Sequence, residues 1–393
     1  MSTVAGDDDK KCSVECAFSP EMQPADCDQD QTGAPHLFDA LTIKGVTLRN
    51  RIAVSPMCQY YSEDGFANDW HLVHLGSRAV GGAGLVMVEA SGVSAVGRIT
   101  PDDLGIYKDA HVEQLSRITK FLEQFGAVPA IQIAHAGRKA STKNPWKVGS
   151  RSVKVDLTDA DGGWDVVAPS AIPFSEGSRV PKELTISEIE EIQQQFVDAA
   201  KRALKAGFKV LEIHAAHGYL LHSFYSPLTN KRADKYGGSF ENRIRCLLEI
   251  TQKVRAVWPQ DYPLFVRLSC SDWFDGGWEI EDSVKLAQQL VENGVDLIDC
   301  SSGYSVPGAR YPHGPGWQVP LAEAVKKGAK VLTGAVGEIT SPAQAEQIIT
   351  TEKADIVFLA RQFIREPYWP YKAAQELHPH EAKTLPPNYS YAI

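Results

Sequence analysis

From about residue 50 the chain alternates short β-branched runs with longer amphipathic stretches, eight times over. The runs are Arg51–Met57, Leu85–Ala90, Val128–Ala134, Val210–Ala215, Leu264–Ser269, Leu297–Ser302, Val331–Ala335 and Ile356–Arg361. Some, such as Leu85-Val86-Met87-Val88, are apolar without interruption, as strands buried on both faces are. The segments between them have helical spacing. In Ile186–Gly207 the residues Ile189, Ile192, Phe196, Ala199, Ala200 and Ala203 share one face, Ser187 is placed to cap the start and Gly207 to stop it. Asn242–Trp258 and Ser283–Asn293 have the same character. Eight strand–helix units with right-handed crossovers predict an α/β chain closed into a (β/α)8 TIM barrel. A doubly wound sheet is the rival, but it needs a glycine-rich fingerprint after its first strand. Here the first strand runs into Ser55-Pro56-Met57-Cys58.

At 393 residues the chain exceeds the roughly 250 of a bare barrel. The surplus falls in an N-terminal leader and in long connections. Residues 1–35 hold eight acids against Lys10 and Lys11, so they carry -6 of the net charge of -9. They also hold Cys12, Cys16 and Cys27, without the His or fourth Cys of a zinc-like spacing. The expected organisation is a flexible, disordered acidic leader over 1–35 and a single barrel domain with a C-terminal tail over 36–393. The acidic balance argues against a nucleic-acid surface, and no apolar run reaches the roughly 18 residues of a membrane span. Seven scattered cysteines and no secretory leader point to a reducing cytoplasm, where the Asn388-Tyr389-Ser390 sequon goes unused.

Three connections are long: His135 to Thr185, His217 to Phe240 and Gly303 to Gln318. Each follows the carboxyl end of a strand, the face on which barrel enzymes carry their sites. Those strand ends deliver Cys58 and Tyr60, Ala90, Gln132, His214 with His217 and Tyr219, Arg267, Gly334 with Gly337, and Ala360 with Arg361. Barrels commonly hold a phosphate after strands 7 and 8. Gly334 and Gly337 allow close backbone approach, and a buried Arg361 supplies a guanidinium fork. His214-Ala215-Ala216-His217 admits three roles: a metal pair, a satisfied structural pair, or two donors to a substrate oxygen. The adjacent Tyr219 favours the third, and the other two stay open on local sequence alone. His71 and His74, at i,i+3 on the first helix, suit a structural or subunit-contact role. Arg138 and Lys139 suit either an anion guide or a salt-bridged loop.

Several long motifs together resemble the old yellow enzyme family. They are Ser55–Cys58, Ile131-Gln132-Ile133-Ala134-His135-Ala136-Gly137-Arg138-Lys139, His214-Ala215-Ala216-His217-Gly218-Tyr219-Leu220, Ser226–Arg232 and Tyr236–Arg243. The resemblance spans about residues 36 to 375, and Cys58 points to the thermophilic-like branch. It implies an FMN-dependent ene reductase with non-covalent FMN over the barrel mouth. By that resemblance the FMN phosphate meets Gly337, Ala360 and Arg361, Gln132 bonds the pyrimidine edge and Arg267 lies near N1. Ser55, Pro56, Met57, Cys58 and Ala90 line the N5 and O4 side, with Cys58 a tuner of potential. The implied cycle is ping-pong. NADPH, or NADH, reduces the flavin and departs. An alkene activated by a carbonyl or nitro group is then bound through His214 and His217. Hydride passes from N5 to the β-carbon and Tyr219 protonates the α-carbon. Tyr60 is a further substrate contact. Bacterial members of the branch place a C-terminal Arg in the neighbouring subunit's site. This tail has none, and Tyr391 falls near that place, so the sequence departs from the family pattern there, and a homodimer that shared its site would have to build it from different groups. Two other functions stay in view: a metal-dependent barrel hydrolase using His214, His217 and His222, and a flavin-binding protein with little turnover.

Overall fold

The computed structural model describes residues 33–149, 154–379 and 385–392. The acidic leader and its three cysteines therefore lie outside the described residues, apart from its last positions. Eight parallel strands close into a barrel: β1 (Ile52–Val54), β2 (Leu85–Gly92), β3 (Val128–Ala134), β4 (Val210–Ala215), β5 (Leu264–Ser269), β6 (Leu297–Ser301), β7 (Leu332–Ala335) and β8 (Ile356–Leu359). The helices that follow them in turn are α1 (Asp69–Val80), α2 (His111–Gln124), α3 (Ile186–Lys205), α4 (Phe240–Val257), α5 (Ile280–Glu292), α6 (Val319–Ala329), α7 (Pro342–Thr350) and α8 (Trp369–Leu377). The eightfold alternation is thus the barrel itself.

The strand register sorts side chains into two shells. Leu211, Ile213 and Ala215 of β4 face the helices, in one cluster with Phe196, Ala199 and Ala203 of α3. Val210 faces inward with Met87, Ala130, Phe265, Leu297, Ile356 and Phe358. An antiparallel hairpin, Leu41–Ile43 with Val46–Leu48, adds its buried Leu41, Ile43, Val46 and Leu48 to that inner cluster. The hairpin plugs the amino-terminal end of the barrel, which leaves the carboxyl-terminal end as the open mouth.

Three local expectations are corrected. The cap of α3 is Thr185 rather than Ser187. Thr185 holds extended backbone and accepts from the Glu188 N–H, while the Glu188 carboxylate accepts from the Thr185 N–H, a closed capping box. β1 ends at Val54, ahead of Pro56, which has no N–H to pair. β8 ends at Leu359, because Ala360 leaves the extended region and Arg361 opens a short helix to Arg365. In the Tyr236–Arg243 motif Ser239 caps α4, accepting from the Asn242 N–H.

Candidate active site

The mouth is built in three parts. The first is a cleft of about 510 Å3 over β7 and β8, lined by Ser301, Trp317, Gln318, Gly337, Ala360 and Arg361 among others. Its volume lies in the usual range for a small-molecule pocket. Gly337 has φ 117, and a Cβ there would come within 2.9 Å of the Gln318 amide nitrogen. At that φ a side chain is strained whatever the space, so the position calls for glycine. Arg361 is exposed rather than buried, and no carboxylate pairs with it among the described residues. It leaves the strand end because the chain has already turned into the short helix.

The second part lies inside the barrel beneath the mouth. Gln132 on β3 sits opposite Glu212 on β4, and its amide nitrogen donates to a Glu212 carboxylate oxygen at 2.7 Å. Arg267 on β5 is level with His214 on one side and Asp299 on the other, with its Nε 3.1 Å from an Asp299 oxygen. Glu212 and Asp299 are both 0% exposed. Burial raises both carboxyls above their usual range; their mutual repulsion adds to this at Glu212, and Arg267 opposes it at both. Two acids therefore stand beside Arg267 inside the barrel. Glu212 and Asp299 were not among the residues expected at the site. Their signal was present: each is a lone acid inside an apolar strand run, at an inward position where an unpaired charge is costly.

The third part is the face built by the ends of β1 and β4. The His214 ring lies 5.2 Å from that of His217 and 5.2 Å from that of Tyr219. His217 takes the left-handed φ of 60, and Gly218 follows at 71. A side chain at 218 would collide with the Tyr304 carbonyl at 2.2 Å, so only glycine completes the turn. The Gly218 N–H donates to His222 Nδ1 at 2.8 Å, and His222 Nε2 lies 2.9 Å from a buried Asp272 oxygen. Lys139 donates to the carbonyls of His217 and Tyr304 at 2.6 and 3.0 Å. Arg138 donates to the carbonyls of Ile172, Pro173 and Ser305. Neither forms an ion pair among the described residues, so both brace the long loops through carbonyls rather than through salt bridges. Lys139 stands 5.0 Å over the Tyr219 ring.

Burial, then the nearby Arg267, holds both His214 and His217 well below the ordinary imidazole value, so both are neutral. His217 Nε2 is 2.7 Å from the Ser301 hydroxyl. Burial raises the Tyr219 phenol well above its usual value, and Cys58 and Asp103 add to the shift. Burial and Glu89 likewise keep Cys58 a thiol. Tyr60 is held at φ 52, with its carbonyl accepting from Asn144 at 3.0 Å. Strain of this kind collects at sites whose surroundings over-determine it. The Cys58–Tyr60 segment is further fixed by Glu89, which accepts from the Gln59 N–H at 2.9 Å and lies 3.4 Å from His71. His71 is thus a buried brace, as is His74 beside it. Ser55 is buried, with Pro56 and Met57 half-buried beside it and Ala90 within the mouth wall.

The metal reading of the histidines finds no donor set. Among the described residues no three His, Cys, Asp or Glu groups are placed to hold an ion. His222 is turned away from the pair toward Asp272. Tyr391 is fully exposed on the tail.

The sequence pattern of the NADH:flavin oxidoreductase / NADH oxidase family matches residues 36–380. An NADPH dehydrogenase of Geobacillus sp. (strain WCH70) is 50% identical over 343 residues, 87% of this chain and 94% of the relative. Morphinone reductase solved in complex with tetrahydroNAD superposes with a TM-score of 0.71 at 26% identity, over 87% of this chain and 91% of that one. A 2-naphthoyl-CoA reductase solved with 2-naphthoyl-CoA gives a TM-score of 0.78 at 28% identity over 87% of this chain, which spans about half, 52%, of that one. What the barrel carries is an NAD(P)H-dependent flavin oxidoreductase that uses FMN. Within that class the chain belongs to the NADH:flavin oxidoreductase / NADH oxidase family and is of the old yellow enzyme type.

Proposed function

We propose that this protein reduces alkenes activated by a carbonyl or nitro group, with FMN lying across the barrel mouth and NADPH as the reductant. Two observations support the fit of FMN. A buried Glu212 oxygen and the buried His214 Nδ1 have no hydrogen-bond partner among the described residues, just below and beside the mouth. The Gly337 cradle opens beside Arg361 in the cleft over β7 and β8. Gly337, Ala360 and Arg361 would hold the phosphate, Gln132 and Arg267 the pyrimidine edge, and Ser55 to Cys58 with Ala90 the opposite edge. When bound, FMN relays hydride from a nicotinamide to the β-carbon of the alkene.

The neutral His214–His217 pair beside a protonated Tyr219 carries the reading. Neutral imidazoles donate N–H to the activating oxygen and draw electron density from the double bond, without placing a full charge in the pocket. Tyr219 keeps its proton until carbanion character develops at the α-carbon, then gives it up. Tyr60 packs the substrate from the side of β1. Burial and Glu89 hold Cys58 as a thiol, and no base is hydrogen-bonded to it among the described residues, which suits tuning of the cofactor's potential rather than attack on the substrate. The four cysteines described, Cys58, Cys246, Cys270 and Cys300, are all free, which supports a reducing cytoplasm. No helix among the described residues is long and apolar enough to cross a membrane.

Anaerobic titration tests the proposal. The purified protein should be yellow, bleach with NADPH and regain colour on addition of an activated enone. A colourless protein with stoichiometric zinc overturns it in favour of a hydrolase. Bound flavin that neither bleaches nor recovers leaves a flavin carrier.

A further inference from the structure

Gln132 and Glu212 form a pair whose geometry the redox reaction alone does not require. Glu212 sits mid-strand on β4, fully buried, with its side chain inside the barrel. The groups that face it are Gln132 from β3, Arg267 from β5 and Asp299 from β6, with His214 two residues along its own strand. One guanidinium thus serves two carboxyls, and it lies closer to Asp299. The second Glu212 oxygen has no hydrogen-bond partner. A buried site with two acids and one cation carries net negative charge when both acids ionise, and taking up one proton relieves it. The amide of Gln132 has two unlike edges. With its nitrogen on Glu212, its carbonyl oxygen is left without a partner among the described residues.

We propose that Glu212 and Gln132 act as a proton-linked amide switch beneath the flavin. This rests on the FMN reading above. When Glu212 is ionised it accepts the Gln132 N–H, and the Gln132 carbonyl is offered to the mouth. When Glu212 is protonated its O–H donates to that carbonyl, and the amide turns its NH2 to the mouth. The first state suits the N–H of an oxidised pyrimidine edge; the second suits an edge that has gained negative charge. The balance is as follows. The nicotinamide loses a hydride, which is two electrons and one proton, and FMN gains all three with one net negative charge. A second proton, from solvent, forms the O–H bond on Glu212. When the alkene takes the hydride, Glu212 returns its proton to solvent. Glu212 is a positioning residue, acting through Gln132.

The test uses the FMN-loaded protein and reads protons rather than turnover. On anaerobic reduction by NADPH in weak buffer with an indicator dye, the wild type should take up about one proton per flavin in the pH range where Glu212 is ionised before reduction. Its midpoint potential should fall twice as steeply with pH there as outside it. Glu212→Gln keeps the shape but cannot ionise, so uptake should vanish and the slope should halve. Asp299→Asn removes the repelling neighbour and should move the steep range to lower pH. No proton uptake by the wild type at any pH overturns the switch whether or not the variants fold, and so does an identical slope in Glu212→Gln. A protein that binds no FMN fails the functional proposal first, and that result is distinct from FMN bound with an invariant proton count.

Discussion

Tyr219→Phe separates proton donation from everything else the mouth does. The phenol oxygen has no hydrogen-bond partner among the described residues, so removing it orphans nothing. The ring keeps its contacts with His214 at 5.2 Å and its place under Lys139 at 5.0 Å. The change should therefore alter stability by no more than about 0.5 kcal/mol, as for a substitution that touches no buried network. Its chemical effect should be large. Burial keeps the phenol protonated across the working pH range, so the wild type always has the proton to give. A positioned general acid contributes about 10²- to 10⁴-fold, or roughly 3–5 kcal/mol of barrel-mouth catalysis. Stopped-flow absorbance resolves the two halves of the cycle. Flavin reduction by NADPH should stay within about twofold of wild type, because no proton from Tyr219 enters it. Flavin reoxidation by an enone should slow by the full factor. Equal losses in both halves would show that Tyr219 shapes the pocket rather than donating the proton. An unchanged reoxidation rate would assign the proton to another group.

His214→Ala should weaken binding of phenolic ligands, read from the long-wavelength charge-transfer band, by about tenfold or more, the loss of one hydrogen bond to a charged group; unchanged affinity removes His214 from the oxyanion pair. Gly337→Ala puts a Cβ at 2.9 Å from Gln318 on a backbone at φ 117 and should raise the FMN dissociation constant by about 5- to 150-fold, from roughly 1–3 kcal/mol of strain; fluorescence titration of the apoprotein with FMN checks this, and wild-type affinity would move the phosphate elsewhere. His135 is buried, accepts from the Gly137 N–H through Nδ1, and is lowered by burial from 6.5 to about 4. The unfolded chain therefore binds a proton that the folded one refuses, so its contribution to stability is full above 6.5 and is lost as pH falls toward 4. The loss is on the order of 3 kcal/mol in total. Urea melts at about pH 7 and about pH 4.5 should show a smaller acid loss in His135→Asn; equal losses would assign the acid sensitivity to other groups.

The eightfold alternation by itself determines the barrel, because a strand buried on both faces and an amphipathic helix are local patterns. Chain order then determined the mouth. Cys58, Gln132, His214, Arg267 and Gly337 follow from the rule that strands deliver their carboxyl ends to one face. Tertiary structure decided what those residues touch. That Glu212 meets Gln132, that Asp299 shares Arg267, and that His222 turns to Asp272 rather than to a metal depends on register between strands far apart in sequence. Whether Arg138 and Lys139 were ion-paired or braced against carbonyls was likewise a matter of where two long loops come to rest. Arg361 shows the limit from the other side: at a strand end it read as buried, and one backbone turn at Ala360 brought it to the surface. Periodicity along the chain records which face of an element is apolar. The charge state and the partner of a polar group depend on what the fold packs against it, and those neighbours come from other strands.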